Sequence, residues 1–255
     1  MIEDQVLVKK LRVNYKTFGA EDGKPFLILH GWGSKSDRWV ALGELVARKN
    51  IRVIVPDLPG FGDSQEPESA WNLDNYVDWV QEFTQTIPEL KNEFYLLGHS
   101  FGGAICVKYA IKYAQRVEKV FLFGAAVIRK KTIKKQVLSK ISPVVKMFAF
   151  LPFYDLGKRA FYKFVIGGSD YLRVDGVMKQ TFLKAISEDL SQKLLFIKIP
   201  TVIIWGNKDD TTLVEDAYYM NKKIDNSKLV IIEGGDHDLE QKMPETLSEK
   251  ILENI

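Results

Sequence analysis

The chain has 255 residues, of which 46% are apolar and 27% charged, enough for one large domain with a sizeable core and too apolar for a disordered chain. Its net charge of +3 is close to balance, and no Gly-rich phosphate loop, zinc-spaced Cys/His set or RNA-binding signature accompanies it, so nucleic acid is not an expected partner. The single cysteine, Cys106, excludes an intrachain disulfide and fits a reducing cytoplasm, which is the expected location.

In chain order, the opening MIEDQVLVKK is acidic and then alternating, unlike the basic segment and apolar core of a secretory signal. Alternation over residues 5–9 and 12–18 predicts two strands of an antiparallel edge. Near-continuous apolar runs follow at 26–30 (FLILH), 52–56, 94–98, 119–123, 201–205 (TVIIW) and 228–232. Such runs suit strands covered on both faces, and amphipathic segments separate them from the third strand onward. The expected architecture is therefore α/β: a mainly parallel eight-stranded sheet flanked by helices.

The alternation breaks at residues 125–187, where Ile133, Val137, Ile141, Val144, Val145 and Phe148 fall at helical spacing. Phe150, Phe153, Tyr154, Phe161, Tyr162, Phe164 and Tyr171 follow, punctuated by Pro143, Pro152 and Gly167-Gly168. We read this as a helical cap inserted after the sixth strand, with the core formed by residues 1–124 and 188–255. We read most of these aromatics as core and expect the remainder to line an apolar pocket. Its most apolar part, 144–153, is interrupted by Lys146 and Pro152 and falls short of a membrane span. Residues 127–199 hold 15 Lys or Arg against five Asp or Glu, leaving 21 against 28 elsewhere. This surplus reads as a solvated helical face, or as a surface attracting an acidic carrier protein or anionic membrane.

The strongest chemical signal is Gly98-His99-Ser100-Phe101-Gly102, between the strand FYLL and the helix AICVKYAIKYA. A nucleophile on so tight a strand-to-helix turn needs a strained backbone, and glycines two residues either side remove Cβ atoms that would collide. Ser100 is the predicted nucleophile, and the Phe101 N–H, at the start of the helix, an oxyanion donor. A second Gly-rich turn, His30-Gly31-Trp32-Gly33-Ser34, offers the Trp32 N–H as the other donor.

Serine needs a base, and there are three histidines. His99 lies inside the elbow, where its side chain should point away from Ser100, and His30 belongs to the turn shaping the oxyanion hole. His237, in the loop after the last strand, remains as the expected base. A carboxylate must orient it, and Asn207-Lys208-Asp209-Asp210 follows the seventh strand. Asp209 is the expected acid, with Asp210 the alternative, since loop register is not readable from sequence.

HGWGS, DLPGFGDS, GHSFGG, WGNKDD and GGDH stand in an order and spacing that resembles the α/β-hydrolase superfamily over nearly the whole chain. The resemblance implies an eight-stranded sheet, a Ser-Asp-His triad working through an acyl-enzyme, Trp32 and Phe101 as oxyanion donors, and a cap that sets substrate choice. No metal or organic cofactor is implied. Serine at position 100 argues against the dehalogenases and epoxide hydrolases of this fold, which use aspartate, and the dienelactone hydrolases, which use cysteine. Carbon–carbon bond hydrolases usually carry Asn where His99 stands and Trp where Asp238 stands. The expected activity is a carboxylesterase for small-molecule esters of short to medium acyl chains. Alternatives are a carbon–carbon bond hydrolase, an esterase for methyl esters on acyl carrier proteins, or a non-catalytic ligand-binding or membrane-docking protein.

Overall fold

The computed structural model describes residues 1–129 and 175–255. Most of the expected cap, with Ile133 to Phe148 and the aromatics from Phe150 to Tyr171, lies outside the described residues, as does much of the basic surplus.

All eight predicted strands form one sheet: β1 (Ile2–Val8), β2 (Leu11–Phe18), β3 (Lys24–Leu29), β4 (Ile51–Pro56), β5 (Phe94–His99), β6 (Val117–Phe123), β7 (Thr201–Gly206) and β8 (Ser227–Ile232). Their order is β1-β2-β4-β3-β5-β6-β7-β8. β1 pairs antiparallel with β2 and β2 with β4, and the remaining pairs are parallel. The first strand begins earlier than expected and ends before Lys9. Lys9 and Lys10 both have positive φ (48° and 67°), the geometry of a two-residue hairpin turn, which places Val8 opposite Leu11.

Strand β3 alternates its side chains between two cores. Leu27 and Leu29 join Trp79, Phe83, Ile105 and Tyr109 on one face of the sheet. Phe26 and Ile28 join Trp39, Leu42, Leu247 and Ile251 on the other. The first face is covered by α2 (Leu73–Thr86) and α3 (Phe101–Lys112), the second by α1 (Val40–Ala47) and the C-terminal helix Pro244–Leu252. Helix α2 starts at a capping box in which Asn72 and Asn75 exchange side-chain-to-backbone bonds of 2.9 and 3.0 Å, satisfying two otherwise orphaned N–H groups.

From β3 the chain moves to β4 on one side and then crosses to β5 on the other. The carboxyl ends of β3 and β5 therefore flank the point where strand order reverses, where open α/β sheets leave a crevice. His30 to Ser34 follow β3 there, and Ser100 follows β5. Helix α4 (Gly176–Ser187), the described end of the expected cap, is tied over the 57–72 loop. Thr181 Oγ1 accepts from the Trp71 N–H (3.0 Å), and Lys184 Nζ donates to the Ala70 carbonyl (2.7 Å). The chain re-enters the core at Glu188, held by the buried Lys108 of α3 at 2.8 and 2.9 Å.

Candidate active site

Ser100 occupies the turn between β5 and α3 with φ 50° and ψ −112°, a sparsely populated conformation that costs about 1–3 kcal/mol and persists only where neighbours enforce it. Its N–H donates to the Phe123 carbonyl (3.1 Å), and its carbonyl accepts from Gly103, Ala104 and Ala126. A Cβ on Gly98 would lie 2.5 Å from both the Gly102 carbonyl oxygen and Cys106 Sγ, and one on Gly102 would overlap the Leu29 carbonyl. The clash partner at Gly102 is strand backbone, which cannot swing aside. Gly102→Ala is expected to lose about 1–3 kcal/mol of stability, and a thermal melt superimposable on wild type would contradict this account of the elbow.

The HGWG turn runs against the elbow, since a Cβ on Gly31 would lie 3.2 Å from that of Ser100. Among the described residues, neither the Trp32 nor the Phe101 N–H takes part in the backbone hydrogen bonds of the loops and caps. Phe101 opens α3, so its N–H is among those a helix cannot satisfy internally. The rings of Trp32 and Phe101 meet edge to face at 5.2 Å, and Trp32 also packs on Phe61 (4.8 Å) and on Phe182 of α4 (5.0 Å). This makes an apolar wall beside Ser100.

His30 is fully buried and belongs to the turn, as expected. Its Nε2 accepts from the Leu58 N–H (2.9 Å), so the ring proton sits on Nδ1 and donates to the Gly31 carbonyl (2.8 Å). Asp57 knots the neighbouring loop, accepting from the Ser36 N–H (2.6 Å), the Asp63 N–H (3.0 Å) and the Asn14 amide (3.2 Å). That knot shapes the loop that carries Phe61.

Asp209 and His237 meet at 2.7 Å between Oδ2 and Nδ1, with the aspartate side chain 1% and the histidine 16% exposed. Asp209 Oδ1 accepts from the Thr211 and Thr212 N–H groups (2.9 and 2.8 Å), and Thr212 Oγ1 lies 2.9 Å from Oδ2. Asp210 is exposed, and its Oδ1 reaches Thr211 Oγ1 at 3.4 Å. The structure thus brings Asp209 rather than Asp210 to His237. Gly124, at the end of β6 with φ 50°, leaves room for the pair: a Cβ there would come within 3.2 Å of His237 Nδ1.

The His237 loop reaches the elbow through His99, whose Nε2 lies 3.0 Å from the His237 carbonyl, the two rings being 4.6 Å apart. No hydrogen bond joins the Ser100 hydroxyl to the His237 ring among the described residues; such bonds often tighten only when substrate is bound. Sequence reasoning missed Thr212, Asp57, Gly124 and the His99 contact. Of these, Asp57 opens the DLPGFGDS motif, though its role as a knot was not read, and the Thr-Thr pair directly after Asp209-Asp210 offered a local signal as a side-chain and backbone cap for the carboxylate.

Burial pushes both His30 and His99 below the ordinary histidine range, His99 strongly and with a further push from His237. The folded chain therefore resists protons that the unfolded chain binds, so this contribution to stability is present above about pH 6.5 and is lost as pH falls below it. His99→Gln is expected to flatten the fall of unfolding free energy between pH 7 and 5 by up to about 1.4 kcal/mol per pH unit. Denaturant titrations with parallel slopes would contradict this.

A family model described as the alpha/beta hydrolase fold matches residues 24–164, more than half of the chain. The chain belongs to that family. Among curated relatives, this hydrolase is 26% identical to lipase 1 of Psychrobacter immobilis over 92% of its own length and 78% of the lipase. It is 23% identical to human monoacylglycerol lipase ABHD6, covering 94% of its own length and 77% of that protein. Among solved structures, a bacterial membrane phospholipase A superposes with a TM-score of 0.75 at 25% identity, covering 99% of this chain and 84% of that one. These likenesses support a hydrolase of the lipase and esterase type. Among the described residues no helix is long and apolar enough to cross a membrane.

Proposed function

We propose that the protein is a serine carboxylesterase in which Ser100 is the nucleophile, His237 the general base and Asp209 its orienting acid. The observation that carries this reading is the Asp209–His237 pair, seated by the His99 contact against a strained serine at the sheet's crevice. With Nδ1–H donated to Asp209, Nε2 of His237 is left as the acceptor for the Ser100 proton.

Ser100 Oγ attacks the ester carbonyl, the carbonyl π pair moves onto oxygen, and His237 takes the hydroxyl proton. The Trp32 and Phe101 N–H groups receive the oxyanion. Collapse of the tetrahedral intermediate breaks the C–O bond, and His237 hands its proton to the departing alkoxide. Water, deprotonated by His237, attacks the acyl-serine; the second tetrahedral intermediate collapses by breaking the bond to Ser100 Oγ, which takes the proton back from His237 as the carboxylic acid leaves.

The wall of Trp32, Phe61 and Phe182 offers an apolar surface to an acyl chain, and short and medium chain esters are the substrates proposed. Relatives that are lipases add monoacylglycerols as a second class. Hydrolysis of 4-nitrophenyl esters from acetate to dodecanoate tests the reading. A rate maximum at one chain length is expected, and wild-type inactivity on the whole series would overturn it.

A further inference from the structure

His99 has so far been a buried neighbour of the nucleophile. Its ring stacks on Phe123 at 4.4 Å and 23° and meets Trp39 edge on at 5.8 Å, surroundings in which phenylalanine would pack equally well. An imidazole there must bury two polar atoms, which is unfavourable unless they are bonded. One of them, Nδ1, is buried without a hydrogen-bond partner among the described residues. The other, Nε2, faces the carbonyl of His237, 138 residues away in sequence, at 3.0 Å. Because a carbonyl only accepts, Nε2 carries the proton and the ring is the neutral Nε2–H tautomer. On its other side, Nδ1 lies 3.1 Å from where a Cβ on Gly31 would be. One ring therefore touches the loop of the base and the oxyanion turn while its own backbone forms the elbow.

We propose that His99 is a positioning residue for His237, its Nε2–H fixing the backbone of the base's loop relative to Ser100. The proposal rests on the triad reading. Asp209, at 2.7 Å, and Thr212 Oγ1, at 3.3 Å, both meet the His237 ring at Nδ1; anchoring the carbonyl of the same residue adds a second point and so limits where Nε2 of His237 can lie. The requirement for a donor, rather than for ring volume, explains why an imidazole occupies an otherwise apolar slot. Its neutrality also keeps a second positive charge away from the imidazolium that His237 becomes during each half-reaction.

The test compares His99→Phe, which keeps the stacking ring and removes the donor, with His99→Gln, whose amide nitrogen can stand near the original Nε2. With 4-nitrophenyl butyrate, His99→Phe is expected to lose about 10- to 100-fold in kcat with KM within about threefold, as a misplaced catalytic group does. His99→Gln is expected to recover to within about fivefold of wild type. Full activity in a folded His99→Phe, or equal loss in both variants, overturns the proposal.

Long-range proton–nitrogen NMR on the wild-type protein tests the bond without reference to activity or to a variant's folding. A slowly exchanging His99 Nε2–H is expected, and an Nδ1–H tautomer or a freely exchanging proton overturns the proposal. Should Ser100→Ala prove as active as wild type, the triad reading fails, and the NMR signal still reports separately on the His99 bond.

Discussion

Replacing Ser100 by alanine is expected to lower turnover of 4-nitrophenyl butyrate by roughly three to six orders of magnitude, the range seen when a triad nucleophile is removed from a serine hydrolase. The described residues offer no substitute beside it. Cys106 is fully buried behind Gly98, and burial raises its thiol well above the ordinary range, so it is neither accessible nor ionised. The Thr212 hydroxyl lies 3.1 Å from the Gly124 carbonyl and 2.9 Å from Asp209. Alanine keeps a Cβ at the same backbone angles and removes only the hydroxyl, so the fold should survive with a melting temperature within a few degrees of wild type. Steady-state rates and thermal melts on the same preparations make the comparison. Near-normal turnover in a folded Ser100→Ala would remove Ser100 from the mechanism.

The sheet was legible because parallel strands covered on both faces read as apolar runs. Phe94 to His99 and Thr201 to Gly206 are buried throughout, and each was visible, one residue shorter, in the apolar runs FYLLG and TVIIW. The elbow was legible for a different reason: Gly98 and Gly102 are demanded by backbone collisions, so geometry leaves its mark on residue type. The edge was less so. Residues 5–9 alternate in sequence, but the strand ends where Lys9 and Lys10 take positive φ, a turn that lysine does not advertise. His99 illustrates the deeper limit. Its motif was visible and so was the expectation that it points away from Ser100, but its hydrogen bond spans 138 residues and joins two loops that only the assembled sheet brings together. The choice between Asp209 and Asp210 was closed to sequence for the same reason, since one residue of loop register decides which carboxylate faces the histidine.

That choice has its own measurable consequence. Asp209→Asn is expected to reduce kcat by about 10³- to 10⁴-fold, while Asp210→Asn stays within about twofold of wild type. In the folded protein Asp209 Oδ1 already accepts two backbone N–H groups, from Thr211 and Thr212, at 2.9 and 2.8 Å. An asparagine must keep its oxygen there, because two N–H donors cannot face an amide NH₂. Its nitrogen then faces His237 Nδ1 in place of Oδ2, and a donor opposite that atom favours the tautomer with the proton on Nε2. In that tautomer His237 presents a proton to Ser100 where it should present a lone pair, and the base is disabled with almost no change in shape. Asp210, exposed and 3.4 Å from the Thr211 hydroxyl, has no such link to the ring. Comparable losses in both variants would mean that the loop acts through its overall charge. A full-activity Asp209→Asn would mean that His237 needs no carboxylate to hold its tautomer, and the acid would have to be struck from the mechanism.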